Sequence, residues 1–150
     1  MVMSLEKTVL ITGSSSGIGK ACALELDRQG FRVFAGVRRE EDGRHLQDQA
    51  SQRLMPINLD VTSANEIASA CESIKQFTGG AGLDGLINNA GYVFACPLEF
   101  IPIDRLRHQL EVNLIGQVAL TQAMLPLLRQ ASGRIININS LYIYTTVIEY

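Results

Sequence analysis

The feature that most constrains the fold of this chain is the alternation of short strand patterns with longer helical patterns. Five mostly apolar runs predict strands at residues 8–12, 32–37, 54–61, 83–88 and 134–139. The segments between them are long enough for crossover helices, and such connections are right-handed and join parallel strands. The alternation therefore predicts an α/β fold, a doubly wound and mostly parallel sheet with helices on both faces.

Apolar residues recur at helical spacing after the first strand, at Ile18, Ala21, Cys22 and Leu26. After the third strand, Ser63-x-x-Glu66 forms a capping box that predicts the start of another helix. The polar segment after the second strand has only a weak helical pattern. A long helix is predicted before the fifth strand, with an apolar stripe formed by Leu106, Leu110, Asn113, Leu114, Val118, Thr121 and Leu125.

Composition and charge restrict the classes of function. The 150 residues are 47% apolar and 19% charged, which is typical of one soluble globular domain. The formal net charge of -2 provides no strong positive field, so no nucleic acid partner is expected. Three separated cysteines predict neither a disulfide framework nor a metal site. Without a signal-like segment or an uncharged run of membrane-spanning length, we expect a cytoplasmic protein with no membrane partner.

A glycine-rich turn, Thr12-Gly13-Ser14-Ser15-Ser16-Gly17-Ile18-Gly19, joins the first strand to the first helix. Glycines there allow a tight turn, close approach of a pyrophosphate and close packing of the helix. The helix also directs free N–H groups at the phosphates. A P-loop is excluded because Ser14 replaces its first glycine and Ala21 has no hydroxyl for magnesium. Dinucleotide binding is predicted, with an ordinary glycine turn as the alternative.

The end of the second strand indicates which dinucleotide is preferred. A cofactor with a free 2′-hydroxyl calls for a carboxylate at this position, whereas a 2′-phosphate calls for a cation. Here Val37 is followed by Arg38 and Arg39. The sequence therefore favours NADP(H) over NAD(H), and the alternative is that both arginines are solvated surface residues.

Together with later motifs, this turn resembles the short-chain dehydrogenase/reductase family. The later motifs are Asp60-Val61, Asn88-Asn89-Ala90-Gly91, Asn113 and Ser140. They occur in the family's order and spacing, and the resemblance covers residues 5 to about 141. It implies a Rossmann-type fold and an oxidoreductase that transfers hydride between a nicotinamide and a small-molecule carbonyl or secondary alcohol.

The resemblance also implies a set of cofactor-binding residues, all near the carboxyl ends of predicted strands. They are Gly13, Ser15, Ile18 and Gly19 along the pyrophosphate, with Ser16 and Gly17 in the same turn, Arg38 at the 2′-phosphate, Asp60 and Val61 at the adenine, and Asn89, Ala90 and Gly91 at the adenosine ribose. Without the resemblance, Asp60 is only a strand-end turn residue. The Asn88-Asn89 pair is then only part of a loop.

Two catalytic roles follow from the same resemblance. Ser140 would hold the substrate carbonyl oxygen, and Asn113 would order a water in a proton relay. The family's proton-donating Tyr, in Tyr-x-x-x-Lys, would lie beyond Tyr150, where this sequence stops. Tyr142 and Tyr144 are not followed by a Lys that would lower their pKa, so neither is expected to act as the acid.

Two interpretations remain for the missing pair. The sequence is either a truncated or frame-shifted family member, or a noncatalytic dinucleotide-binding or interaction module. In both cases we expect a dinucleotide-binding domain at 1–141, an atypical Tyr-rich tail at 142–150, and self-association of the chain. His45 and His108 lie among charged and polar residues and are expected to be solvated.

Overall fold

Strands and helices alternate throughout residues 6–138, the part of the chain that the computed structural model describes. The strands are β1 (Thr8–Ile11), β2 (Arg32–Val37), β3 (Leu54–Asn58), β4 (Gly85–Asn88) and β5 (Arg134–Asn137). The α-helices are α1 (Gly17–Arg28), α2 (Glu40–Gln47), α3 (Ala64–Thr78), α4 (Ile103–Leu110) and α5 (Gly116–Gln130). The weakly patterned segment after β2 is therefore helical. Within residues 6–138, no helix has the length and apolar character needed to cross a membrane.

The five strands form one parallel sheet in the order β3-β2-β1-β4-β5. From β1 the chain adds β2 and β3 on one side and then β4 and β5 on the other. The direction of strand addition therefore reverses between β1 and β4. This arrangement confirms the predicted doubly wound α/β fold, and it opens a crevice beyond the carboxyl ends of these two strands.

The sheet is covered on both faces, which explains why its central strands are almost continuously apolar. One face packs against α3 and α5 through the buried side chains of Leu10, Phe34, Leu86, Ile74 and Met124. The opposite face packs against α1 and α2 through Val9, Ile11, Val33, Ala23 and Leu46. Helices on both faces were predicted and are present.

The edge strand β3 carries Pro56 at its centre. Arg53 O accepts from Val33 N and Val37 O accepts from Leu59 N, so the odd-numbered residues direct their backbone groups at β2. Pro56 therefore faces the open edge, where its missing N–H removes the central donor. Another strand cannot pair fully along this edge.

The residues of the apolar stripe predicted on the long helix are exposed or only partly buried. Leu110, Leu114 and Val118 are about half exposed, whereas Leu120 and Met124 are fully buried. The helical run is apolar on two faces, so spacing alone does not select the face that meets the sheet. A π-helical turn at Glu111–Ile115 also joins α4 to α5 and changes the helical phase. The expected association of chains through the exposed stripe stays a prediction.

We expect Leu120→Ala to lower the free energy of unfolding by about 2–5 kcal/mol, because the lost side chain leaves a cavity. Leu114→Ala removes the same atoms from a residue that is 54% exposed. Its effect on the free energy of unfolding should stay within about 0.5 kcal/mol. Urea denaturation of both variants and the unmodified chain measures the difference. Equal losses would show that the buried face is misassigned.

Candidate functional site

The crevice beyond β1 and β4 contains a cavity of about 400 Å³. Its wall includes most of the predicted cofactor-binding residues: Gly13, Ser15, Ser16, Arg38, Asp60, Val61, Asn89, Ala90 and Gly91. These come from four separate loops, each following the carboxyl end of a strand. The sheet topology therefore brings together residues that lie far apart in sequence.

Three residues of the predicted set do not line this cavity. Gly19 is buried, and Ile18 is 62% exposed. Gly17 has a φ of 55°, a conformation that favours glycine. Ser140, the predicted substrate-binding serine, lies outside the described residues, as does the Tyr-rich segment at 142–150.

Thr12 joins the loops after β1 and β4. Its hydroxyl Oγ1 accepts hydrogen bonds from Asn89 N at 3.0 Å and Ala90 N at 2.9 Å. In return, Asn89 Nδ2 donates to Thr12 O at 2.9 Å and to Gly13 O at 3.2 Å. Thr12 is only 1% exposed, so these bonds are shielded from water. The predicted ribose-side residue Asn89 thereby also shapes the floor of the cavity.

The glycines of the turn are required by this close approach of two loops. A Cβ at Gly19 would collide with Gly13 O and Asn89 Nδ2. At Gly13, φ is 67° and a Cβ would lie 2.9 Å from Ala90 Cα. Any side chain at either position would force the two loops apart.

The N-terminus of α1 is suited to an anionic group. Its N-cap residue, Ser16, makes no side-chain capping bond, and its first turn contains no acidic residue. In α3, by contrast, Ser63 Oγ accepts from Glu66 N at 3.3 Å. Within residues 6–138, no side chain caps the N–H groups at the start of α1, and this helix end lies beside Ser15 and Ser16 of the cavity wall. This geometry fits the pyrophosphate of a dinucleotide.

Asp60 lies where the chain leaves β3, which ends at Asn58, earlier than predicted. Its Oδ1 accepts from Thr62 N at 2.9 Å and from Thr62 Oγ1 at 2.7 Å. Partial burial would raise the pKa of Asp60, but these bonds and the nearby charges of Arg38 and His108 outweigh it, and the pKa lies below its ordinary value. The carboxyl group is therefore an acceptor at neutral pH.

The capping-box residue Glu66 also supports Asp60. Its carboxylate does not bond back to the N-cap residue but accepts from Asp60 N at 2.7 Å. The first turn of α3 thus fixes the backbone of a cavity residue.

The two arginines after β2 have different surroundings. Arg39 forms a bidentate pair with Asp42, through Nε at 2.9 Å and Nη2 at 2.8 Å. This pairing holds the pKa of Asp42 below its ordinary value. Arg38 lines the cavity, and among residues 6–138 it forms no ion pair. Only one of the two arginines therefore presents its charge to a ligand.

Asn113 lies in the π-helical turn and binds a distant piece of backbone. Its Oδ1 accepts from Tyr92 N at 2.8 Å, and its Nδ2 donates to Tyr92 O at 2.8 Å. The neighbouring Gln109 accepts from Phe94 N at 2.9 Å. These two amides fix the loop after β4, and the water-ordering role of Asn113 stays a prediction.

Sequence reasoning gave no role to several residues of this site. Thr12 was part of the turn motif but received no role, although a buried threonine at a strand end indicates hydrogen bonding to a neighbouring loop. Tyr92, His108 and Val112 line the cavity from the far side. Their positions depend on how α4 packs over the loop, and no local pattern reports that packing.

We expect Thr12→Val to destabilise the chain by about 1–3 kcal/mol, because the Asn89 and Ala90 N–H groups lose a buried acceptor at nearly unchanged side-chain volume. Thr12→Ser retains the hydroxyl and should keep most of that stability. Thermal and urea unfolding of the two variants measure the contrast. If valine and serine behave alike, the hydroxyl does not hold the loops together.

Curated proteins of known name are similar to most of this chain. A 17-beta-hydroxysteroid dehydrogenase type 6 of Bos taurus is 45% identical over 137 residues, 91% of this chain and 43% of the relative. Retinol dehydrogenase 16 of Mus musculus is 41% identical over 136 residues, 90% of this chain and 43% of the relative. The chain thus spans less than half the length of these curated relatives.

Solved structures show the same fold. A short-chain dehydrogenase from Streptomyces avermitilis superposes with a TM-score of 0.83 at 33% identity, covering 93% of this chain and 51% of the other. Serine dehydrogenase from Escherichia coli gives 0.81 at 30% identity, covering 89% and 62%. The sequence model described as short chain dehydrogenase matches residues 7–149. This chain therefore belongs to the short-chain dehydrogenase family of oxidoreductases, which implies an NAD(P) dinucleotide as its cofactor.

Proposed function

We propose that the chain forms the cofactor-binding part of an NADP(H)-dependent oxidoreductase that acts on a carbonyl compound or a secondary alcohol. The observation that carries this proposal is the uncapped N-terminus of α1, which borders a crevice whose wall also presents Arg38. When bound, the nicotinamide supplies or accepts the hydride, and the protein binds and orients it. The predicted roles of Ser140 and Asn113 belong to this proposal.

The preference for a 2′-phosphate rests on the surroundings of Arg38. Val37, the last residue of β2, is buried and has no polar side-chain atom that could bind a 2′-hydroxyl. Arg39 is already paired with Asp42, whereas Arg38 lines the cavity. A guanidinium at this position can form charge-assisted bonds with a phosphate.

An apolar substrate is supported by the side chains that follow β4. Val93 lines the cavity and is 56% exposed. Leu98, Phe100 and Ile103 are also exposed and follow in the same segment. Relatives named for hydroxysteroids and retinol suggest a bulky apolar alcohol. We include such a substrate in the proposal for the whole protein.

Calorimetric titration of NADPH and NADH, at one salt concentration, tests the cofactor preference. We expect NADPH to bind more tightly than NADH. Arg38→Ala should lower the affinity for NADPH by about tenfold to a hundredfold, since a hydrogen bond to a charged group is worth roughly 1.5–3 kcal/mol. NADH affinity should change little.

Arg39→Ala is the matched control. It also removes a guanidinium, one residue along the chain from Arg38, but Arg39 is already paired with Asp42. Its effect on NADPH should be small. Equal affinities for the two cofactors, or equal losses in the two arginine variants, would contradict the assignment of the 2′-phosphate to Arg38.

A further inference from the structure

His108 lies on the cavity wall and has no role in the site as described so far. It projects from α4 and lines the cavity together with Asp60, Tyr92 and Val112. His108 and Val112 are four residues apart along a continuous helical run, so their side chains lie on the same side of it. The helix therefore presents an aromatic ring and an apolar side chain to the same end of the crevice.

The ring of His108 packs against a firmly held neighbour. Its centroid lies 4.9 Å from that of Tyr92, with 66° between the ring planes, an edge-on arrangement. The backbone of Tyr92 is in turn fixed on both sides by Asn113, at 2.8 Å in each bond. His108 is solvent-exposed, but its ring packs on Tyr92, whose backbone is held by Asn113.

The side chains at this end of the crevice suit a planar aromatic base that has hydrogen-bonding groups at its edge. Val61 and Val112 provide apolar contact surface, and Asp60 provides a carboxylate. Both bonds from Thr62 go to Asp60 Oδ1, and within residues 6–138 no donor binds Oδ2. That oxygen can accept from an exocyclic amine. An imidazole adds a ring for stacking and two nitrogens for hydrogen bonding.

We propose that His108 contacts the adenine base of the bound dinucleotide, from the side opposite Asp60 and Val61. This inference rests on the proposed function. It assigns base recognition to α4, beyond the strand-end loops, while Arg38 is reserved for the 2′-phosphate. His108 is a binding residue for the adenosine half and has no part in binding the nicotinamide half.

The chain contains only two histidines, so the imidazole signals of His108 and His45 can be assigned by NMR with His108→Gln and His45→Gln. His45 lies in α2 and outside the cavity wall, which makes it an internal control. On titration with adenosine 2′,5′-bisphosphate, we expect the His108 ring signals to shift and those of His45 to stay in place. Nicotinamide mononucleotide, which lacks adenine, should leave the His108 signals unchanged.

Calorimetry with the same ligand and with alanine variants provides the second measurement. His108→Ala should lower the affinity for adenosine 2′,5′-bisphosphate by at least about fivefold, which is the low end of the effect of losing a contact between a base and an aromatic side chain. His45→Ala should leave the affinity unchanged. His108 is exposed, so its substitution leaves the core intact.

The outcomes separate this inference from the proposed function. If the bisphosphate binds while the His108 signals stay in place and His108→Ala retains full affinity, the inference is overturned and the dinucleotide site stands. If the unmodified chain binds neither the bisphosphate nor NADPH, the proposed function fails, and the assignment of His108 fails with it.

Discussion

The hydroxyl of Thr12 is the contact on which the geometry of the crevice depends. β1 and β4 pair in parallel, but the helices that follow them pack on opposite faces of the sheet, so the two loops diverge immediately after the last ladder bonds. Thr12 Oγ1 accepts two backbone N–H groups of the β4 loop at the point of divergence. Without that acceptor, two buried donors would lose their partner, at a cost that exceeds the value of an ordinary exposed hydrogen bond. The Thr12 hydroxyl therefore holds together the two loops that form the floor of the crevice.

Two buried amide side chains, those of Asn88 and Gln117, also form hydrogen bonds between the elements around Thr12. Asn88 is 1% exposed and donates to Thr121 Oγ1 at 3.0 Å and Asn137 Oδ1 at 2.8 Å, which ties β4 to α5 and β5. Gln117 Nε2 donates to Ala90 O at 3.1 Å. Backbone groups of loops cannot pair within a sheet ladder, so side chains satisfy them. These partly buried bonds connect the β4 loop and β4 itself to α5 and β5.

The sequence predicts the strands and the glycine-rich turn well because both depend on local rules. β-branched runs are typical of buried strands, and Gly13 follows from a turn that requires positive φ. The exposure of Leu114 and the contact of Asn113 with Tyr92, 21 residues away, depend on tertiary packing, which helical periodicity does not encode. The difference between Arg38 and Arg39 has the same origin, since one ion pair with Asp42 decides which arginine is available.

The electrostatics of the crevice explain how a chain of net charge -2 can bind a polyanionic cofactor. Net charge governs long-range attraction and argues against an extended polyanion such as nucleic acid. A dinucleotide instead meets the local field, in which the positive end of α1 and the Arg38 guanidinium border the same cavity. Among the described residues, Asp60 is the only carboxylate on the wall, and it lies beside the apolar side chains of Val61 and Val112. In the binding mode that we propose, the phosphates lie toward α1 and Arg38, and the neutral base lies toward Asp60 and His108.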